Sequence, residues 1–199
     1  KDDHILIIGG GAIGLGIISA LRALRTEPIK ITVLARHQFQ RNMALKLGAD
    51  NVVSEKNCYR EFSEILQTPL FGAPGNRILN NGFHIIYDCV FNSSTVNDAL
   101  RWLRPRGNLV AVGINKLPSL VDFTSVGQRE LKIIGVHGYA YDSWQGKIQH
   151  TIARCIEWAN TGRLNISPLL THKYPLRGYK DAIETASSHY TSDSSKAEE

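Results

Sequence analysis

The chain has 199 residues, enough for one full α/β domain with an appendage and large enough to fold without covalent staples. Its net charge of +5 comes from lysines and arginines scattered along the chain, with no basic arm or aromatic-interleaved patch, which argues against nucleic acid. Cys58, Cys89 and Cys155 lie far apart, are odd in number and form no CxxC pair, so neither a disulfide framework nor a zinc cluster is implied and a reducing, cytoplasmic setting fits best. With no leading apolar segment and no run of about eighteen apolar residues, the expectation is a soluble protein with no membrane partner.

Residues 4–8 are an apolar, β-prone run that feeds into Gly9-x-Gly11-x-x-Gly14 and then a helical pattern. Alone, such a glycine motif usually marks a flexible loop. Between a strand and a helix it is a dinucleotide-binding fingerprint: Gly9 permits the tight turn, Gly11 leaves no Cβ against a pyrophosphate, and Gly14 lets the helix lie close to the strand. The phosphates are expected on the amides of Ala12 and Ile13, at the positive end of that helix. Ile13, Ile17, Leu21 and Leu24 read as its apolar stripe, and it should end near Arg25.

Residues 29–34 read as a second buried strand, 39–47 as a helix closed by Gly48, and 51–53 as a short third strand. A helix over 59–66 carries Phe62, Ile65 and Leu66 on one face. Residues 67–82, rich in Pro, Gly and Asn, form a loop of unusual length, read as an insertion rather than a lid. Residues 83–89 restore a buried strand, and Ser93, Ser94 and Thr95 offer capping hydroxyls to a helix that runs through Leu103 and stops before Pro105. Strands over 108–112 and 131–136 follow. The alternation predicts an α/β fold: a doubly wound, six-stranded parallel (Rossmann) sheet over residues 1–140, with ligands at the carboxyl ends of its strands.

From Asp142 the pattern becomes one long amphipathic helix with Trp144, Ile148, Ile152, Ile156 and Ala159 on one stripe and Gly162 as its stop. Residues 169–174 read as a strand, Pro175 as a first-turn proline, and Tyr179, Ile183 and Ala186 as the face of a last helix. This helix-strand-helix appendage spans 141–191, and residues 192–199 read as a disordered tail.

The order of motifs resembles the coenzyme-binding half of the zinc-containing medium-chain alcohol dehydrogenases, the threonine dehydrogenase-like members in particular. The resemblance rests on Gly9-Gly10-Gly11-Ala12-Ile13-Gly14, Ala44-Leu45-Lys46-Leu47-Gly48-Ala49-Asp50, Asp88-Cys89-Val90, Leu103-Arg104-Pro105-Arg106-Gly107-Asn108, Val112-Gly113 and Ile134-Gly135. It implies that Val112, Gly113 and Ile114, with Gly135, Val136 and His137, approach a nicotinamide, and that Val90 borders the adenine. It also implies that the zinc ligands and proton relay belong to an amino-terminal catalytic domain outside this stretch, and that an edge strand over 131–136 pairs two subunits of a homo-oligomer. One departure is Phe91, where the family usually has glycine.

Within the chain no histidine is paired with a carboxylate or cysteine at ligand spacing, and no nucleophile motif stands out, so neither a catalytic residue nor a metal site is expected here. His137 reads as a cleft-lining residue rather than a proton carrier, Asp88 as a hydrogen-bonded turn residue, and Cys89 as a buried small hydrophobe. Two function classes stay open: a dehydrogenase acting on an alcohol or polyol, represented by its nucleotide domain, or a non-enzymatic NAD(P)-responsive module.

Cofactor choice turns on the end of the second strand. NAD sites of this fold place an acidic residue there to hold the ribose hydroxyls and repel a 2′-phosphate. By the resemblance that position is Ala35, followed at once by Arg36 and His37, with Arg41 one turn on. Arginine suits phosphate through its planar, bidentate fork. The expectation is NADP, with NAD second.

Overall fold

In the computed structural model the described residues are 3–24, 28–73, 75–115, 118 and 120–194. In chain order the first βαβ unit is β1 (Asp3–Ile8), α1 (Ala12–Leu24), β2 (Ile29–Leu34), α2 (Gln38–Lys46) and β3 (Asn51–Val53). There follow α3 (Cys58–Leu66), β4 (Leu70–Phe71), β5 (Ile78–Leu79), β6 (Phe83–Asp88), α4 (Ser93–Trp102), β7 (Leu103–Ala111), α5 (Thr124–Gln128) and β8 (Lys132–Gly135). The remainder is β9 (Tyr141–Trp144), β10 (Lys147–His150), α6 (Thr151–Asn160) and α7 (Tyr179–Ser194).

Six strands form one sheet in the order β3-β2-β1-β6-β7-β8, and every pair in it is parallel. The expected doubly wound sheet is therefore the observed one. Alternation along the strands divides the core: Leu6, Ile8 and Leu34 join Phe62, Phe83 and Trp102 on one face, while Ile7, Ile31 and Val33 pack with Leu15, Ile18, Met43 and Ala44 on the other. A parallel sheet needs both faces covered, and here helices from both halves cover it. Phe62 packs edge-on against both Phe83 and Trp102, with ring centroids 5.1 and 4.9 Å away.

Several local expectations are corrected. The buried face of α1 is Gly14, Leu15, Ile18, Ser19 and Ala23, whereas Ile13 is 61% exposed; Arg25 lies outside the described residues. The 67–82 stretch is not structureless, because β4 and β5 pair antiparallel there and Leu79 is fully buried. Arg129 ties it down by donating to the carbonyls of Leu79 and Asn80, both at 2.9 Å. Helix α4 is capped by Asn92, whose side chain accepts from the Thr95 amide at 2.9 Å, and Leu103 already belongs to β7.

The largest correction is after Tyr139. The long helix expected from Asp142 is a hairpin, β9 paired antiparallel with β10, followed by the shorter α6. Gln145 and Gly146 both have positive φ, +50° and +76°, the two-residue turn whose twist matches flanking strands. Trp144 then meets Trp158 at 5.0 Å, with the Arg163 guanidinium 4.5 Å from the Trp144 ring centre, a contact that a continuous helix would prevent by setting the two residues about 21 Å apart along its axis. Ile148, Ile152 and Ile156, read as the packed stripe, are exposed.

Contacts divide the chain into two units, residues 1–169 and 170–199. The strand expected over 169–174 is absent among the described residues, and a short 3-10 turn, Ser167–Leu169, stands at its start. Within the second unit a turn at Leu176–Gly178 leads into α7, and the Tyr174 hydroxyl donates to Thr185 Oγ1 at 2.8 Å. Helix α7 continues through Ser194, into the stretch read as a tail, and residues 195–199 lie outside the described residues.

Candidate functional site

All six sheet strands point the same way, so their carboxyl ends share one edge, and the strand order reverses between β1 and β6. Loops leaving adjacent strands in opposite directions open a cleft at such a point. The β1 loop is shaped by space as much as by conformation. Gly9 is left-handed at φ +98° and its amide donates to Leu34 O at 2.9 Å, which joins the end of β1 to that of β2. A Cβ at Gly14 would collide with the carbonyl oxygen of Gly9, whereas a Cβ at Gly11 would meet nothing within 4 Å. Gly14 is thus used for close packing, and Gly11 faces open space.

The first helical bond of α1 runs from the Leu15 amide to Gly11 O at 2.9 Å. The N–H groups of Ala12, Ile13 and Gly14 therefore have no acceptor within the helix, and the helix dipole adds partial positive charge there. Such an end accommodates an anion.

Two contact groups flank this loop. On one side a Cβ at Gly10 would lie 2.8 Å from both Ala35 and Gln40 Cβ, so the β1 loop rests on the loop after β2. There Gln40 Oε1 accepts from the His37 amide at 3.4 Å. Arg41 donates to the carbonyls of Ala35 and Arg36, both at 2.7 Å, and to Gln38 at 2.9 Å, which commits its guanidinium to holding the turn. Arg36 points to a carboxylate that begins the segment after β3: its Nε lies 3.3 and 3.4 Å from the Glu55 oxygens.

On the other side Val90 Cγ2 would touch a Cβ on Gly9 at 3.1 Å, and a Cβ on Gly113 would press on the Val90 carbonyl at 2.7 Å. The loops after β1, β6 and β7 therefore meet at Val90. Asp88 organises them. Its backbone carbonyl accepts from the amides of Val112 and Gly113, at 3.1 and 2.9 Å, and its Oδ1 accepts from those of Val90 and Phe91, at 3.0 and 2.8 Å.

Burial raises the Asp88 carboxyl above its ordinary range, against the opposing pull of the Phe91 amide, the Thr95 hydroxyl and the Val90 amide. Its Oδ2 is buried without a hydrogen-bond partner among the described residues. Burial also pushes the neighbouring Cys89 thiol up to about 12, so it stays an unreactive thiol. Ile114 and His137 are exposed beyond β7 and β8, and Val136 extends the sheet by donating to Ala111 O at 3.2 Å.

A family model described as zinc-binding dehydrogenase matches residues 12–154, well over half of the chain. The chain belongs to the zinc-binding dehydrogenase family. The matched part is that family's coenzyme-binding region. L-idonate 5-dehydrogenase of Vitis vinifera is 27% identical over 187 residues, covering 93% of this chain and 46% of the relative. L-threonine 3-dehydrogenase of Pyrococcus furiosus is 25% identical, covering 90% and 47%. A solved structure from Escherichia coli CFT073, described as a short chain alcohol dehydrogenase complexed with cofactor NADH, superposes with a TM-score of 0.71 at 22% identity, covering 92% of this chain and 48% of that one. The chain spans about half the length of the curated relatives it matches.

Among the described residues of this zinc-binding dehydrogenase chain, no group of three or more His, Cys, Asp or Glu is placed to hold a metal ion. These residues do not fit the family's zinc. They do fit a dinucleotide, through the open Gly11 and the unpaired amides beside it. No helix among them is long and apolar enough to cross a membrane.

Sequence reading missed Gln40 and Glu55. Gln40 follows His37 at capping-box spacing, but histidine is not among the usual capping residues, so the signal was faint. Glu55 has no local signal at all, because only the parallel pairing of β2 with β3 brings it beside Arg36.

Proposed function

We propose that this chain is the nicotinamide-dinucleotide-binding part of a zinc-dependent medium-chain dehydrogenase that transfers hydride between NAD(P) and an alcohol or polyol. The observation that carries the reading is the β1 loop: a glycine packed on the turn, a second glycine open to the cleft, and unpaired helix amides between them, all at the point where strand order reverses.

In this reading the amides of Ala12 and Ile13 would hold the pyrophosphate above Gly9 and Gly11, with Gly14 seating α1. Val90 would border the adenine; Val112, Gly113, Ile114 and His137 would border the nicotinamide. The bound dinucleotide supplies the hydride chemistry, and the protein positions it. Asp88 keeps the Val90 and Gly113 loops in register. The zinc, the substrate pocket and the proton relay belong to a catalytic domain matching the half of the relatives that this chain does not cover, and subunits associate through β8.

NADP is the preferred cofactor in this proposal. Ala35 offers no carboxylate at the end of β2, Arg36 would anchor a 2′-phosphate, and His37 and Arg41 shape the turn that presents it. A charge-assisted hydrogen bond contributes about 1.5–3 kcal/mol, so NADP should outbind NAD by about tenfold or more. Calorimetric titration of both cofactors into the wild-type chain and the Arg36→Ala and Ala35→Asp variants tests this. Equal or tighter NAD binding by the wild type would remove the preference, and absence of binding by either dinucleotide would remove the reading.

A further inference from the structure

Arg36 and Glu55 leave the sheet side by side because the β2–β3 ladder runs one residue past β2, with the Ala35 amide donating to Val53 O at 3.1 Å. Glu55 then opens a one-turn 3-10 helix, Glu55–Asn57. Both oxygens of its carboxylate face Arg36 Nε, at 3.3 and 3.4 Å. Ala35, where an acidic side chain would stand in an NAD site of this fold, is only 2% exposed and carries no charge. Among the described residues, a carboxylate in this corner therefore comes from the next strand's loop and bears on the guanidinium rather than on the ribose position.

We propose that Glu55 is a specificity-determining residue that tempers selection for the 2′-phosphate by competing for the Arg36 guanidinium. This rests on the reading of Arg36 as the 2′-phosphate anchor. The two side chains are 56% and 55% exposed, and an ion pair so open to water is weak. It cannot lock Arg36 away from a ligand. A phosphomonoester carries more charge than a carboxylate at neutral pH and offers three acceptor oxygens, so it displaces Glu55. That displacement subtracts from the affinity for NADP and leaves that for NAD, which has no 2′-phosphate, untouched. Glu55 thus narrows the gap between the two cofactors without inverting it.

The experiment is a double-mutant cycle with NADP and NAD titrated calorimetrically into the wild-type chain, Glu55→Gln, Arg36→Ala and the double variant, with folding checked by circular dichroism. Glu55→Gln should tighten NADP about three- to fivefold and leave NAD unchanged, and the gain should vanish in the Arg36→Ala background. An unchanged NADP to NAD ratio in Glu55→Gln, with Arg36→Ala still weakening NADP, would overturn the role of Glu55 and leave the anchor standing. A gain that persists without Arg36 would mean direct repulsion of the phosphate and would also overturn it. NADP binding indifferent to Arg36→Ala would refute the anchor, and this proposal with it.

Discussion

Phe91 donates its amide to Asp88 Oδ1 across 2.8 Å while its own φ is +54°, a left-handed conformation rare for a bulky side chain. Phe91 occupies a position where the resemblance leads one to expect glycine. The backbone keeps the glycine-like turn because two amides converge on one carboxylate oxygen, and the ring packs against the core. A left-handed non-glycine residue costs roughly 1–2 kcal/mol, which those two interactions offset.

Asp88→Asn should therefore fold almost as stably as the wild type, since its amide oxygen can still accept both N–H groups. Asp88→Ala should lose roughly 1–3 kcal/mol in urea unfolding because it leaves two amides without an acceptor. Comparable losses in the two variants would mean that the carboxylate's hydrogen bonds do not hold the loop.

The same residue predicts a pH dependence. Its folded-state pKa is raised, chiefly by burial, so its contribution is complete below the unfolded value of about 3.9 and is lost as pH rises through the folded value. Asp88→Asn has nothing to ionise. Its stability relative to wild type should improve between about pH 4 and pH 7, and parallel stability curves over that range would count against the effect.

His84 gives the opposite sign. Its Nδ1 accepts from the His4 amide at 3.0 Å and its Nε2 lies 3.2 Å from Asp3, an arrangement that requires Nδ1 to stay unprotonated. Burial lowers its pKa, Arg104 and His4 add to that, and Asp3 opposes it. The contribution is present above the unfolded value of about 6.5 and is lost as pH falls through the folded one. His84→Gln should flatten the stability profile between about pH 7.5 and pH 5. A variant as acid-sensitive as the wild type would place the sensitivity elsewhere.

Gly11, in the loop after β1, and Gly14, in the first turn of α1, should separate stability from affinity. Gly14→Ala forces a methyl into the Gly9 carbonyl, and overpacking of this kind costs roughly 1–3 kcal/mol or more. Gly11→Ala meets no protein atom, so thermal unfolding should not move while dinucleotide binding weakens at least tenfold. Tight binding by a well-folded Gly11→Ala protein would show that the pyrophosphate does not pass there.

Exposed apolar side chains predict association. Ile133, Ile134 and Val136 are 40%, 44% and 49% exposed on and beside the edge strand β8, and an uncovered edge invites pairing with another. Sedimentation of the chain should show a dimer that Ile134→Glu shifts toward monomer. A wild-type monomer at tens of micromolar would dispose of β8 as the subunit contact.

The sequence by itself determined the sheet and the glycine turn that follows its first strand, because both are written in local pattern. The strands at Ile29–Leu34 and Asn51–Val53 matched residue for residue, since a β-prone apolar run between turn formers has few alternatives, and the glycine spacing carried its own geometry. Pattern misled where one face was not filled by the sheet. The apolar spacing from Trp144 to Ala159 suits a helix, but the Gln145-Gly146 turn and the Trp144 to Trp158 contact drew its first part into a hairpin. Only the tertiary structure set Glu55 against Arg36 and gathered four amides onto Asp88, because parallel pairing joins segments that no local spacing connects.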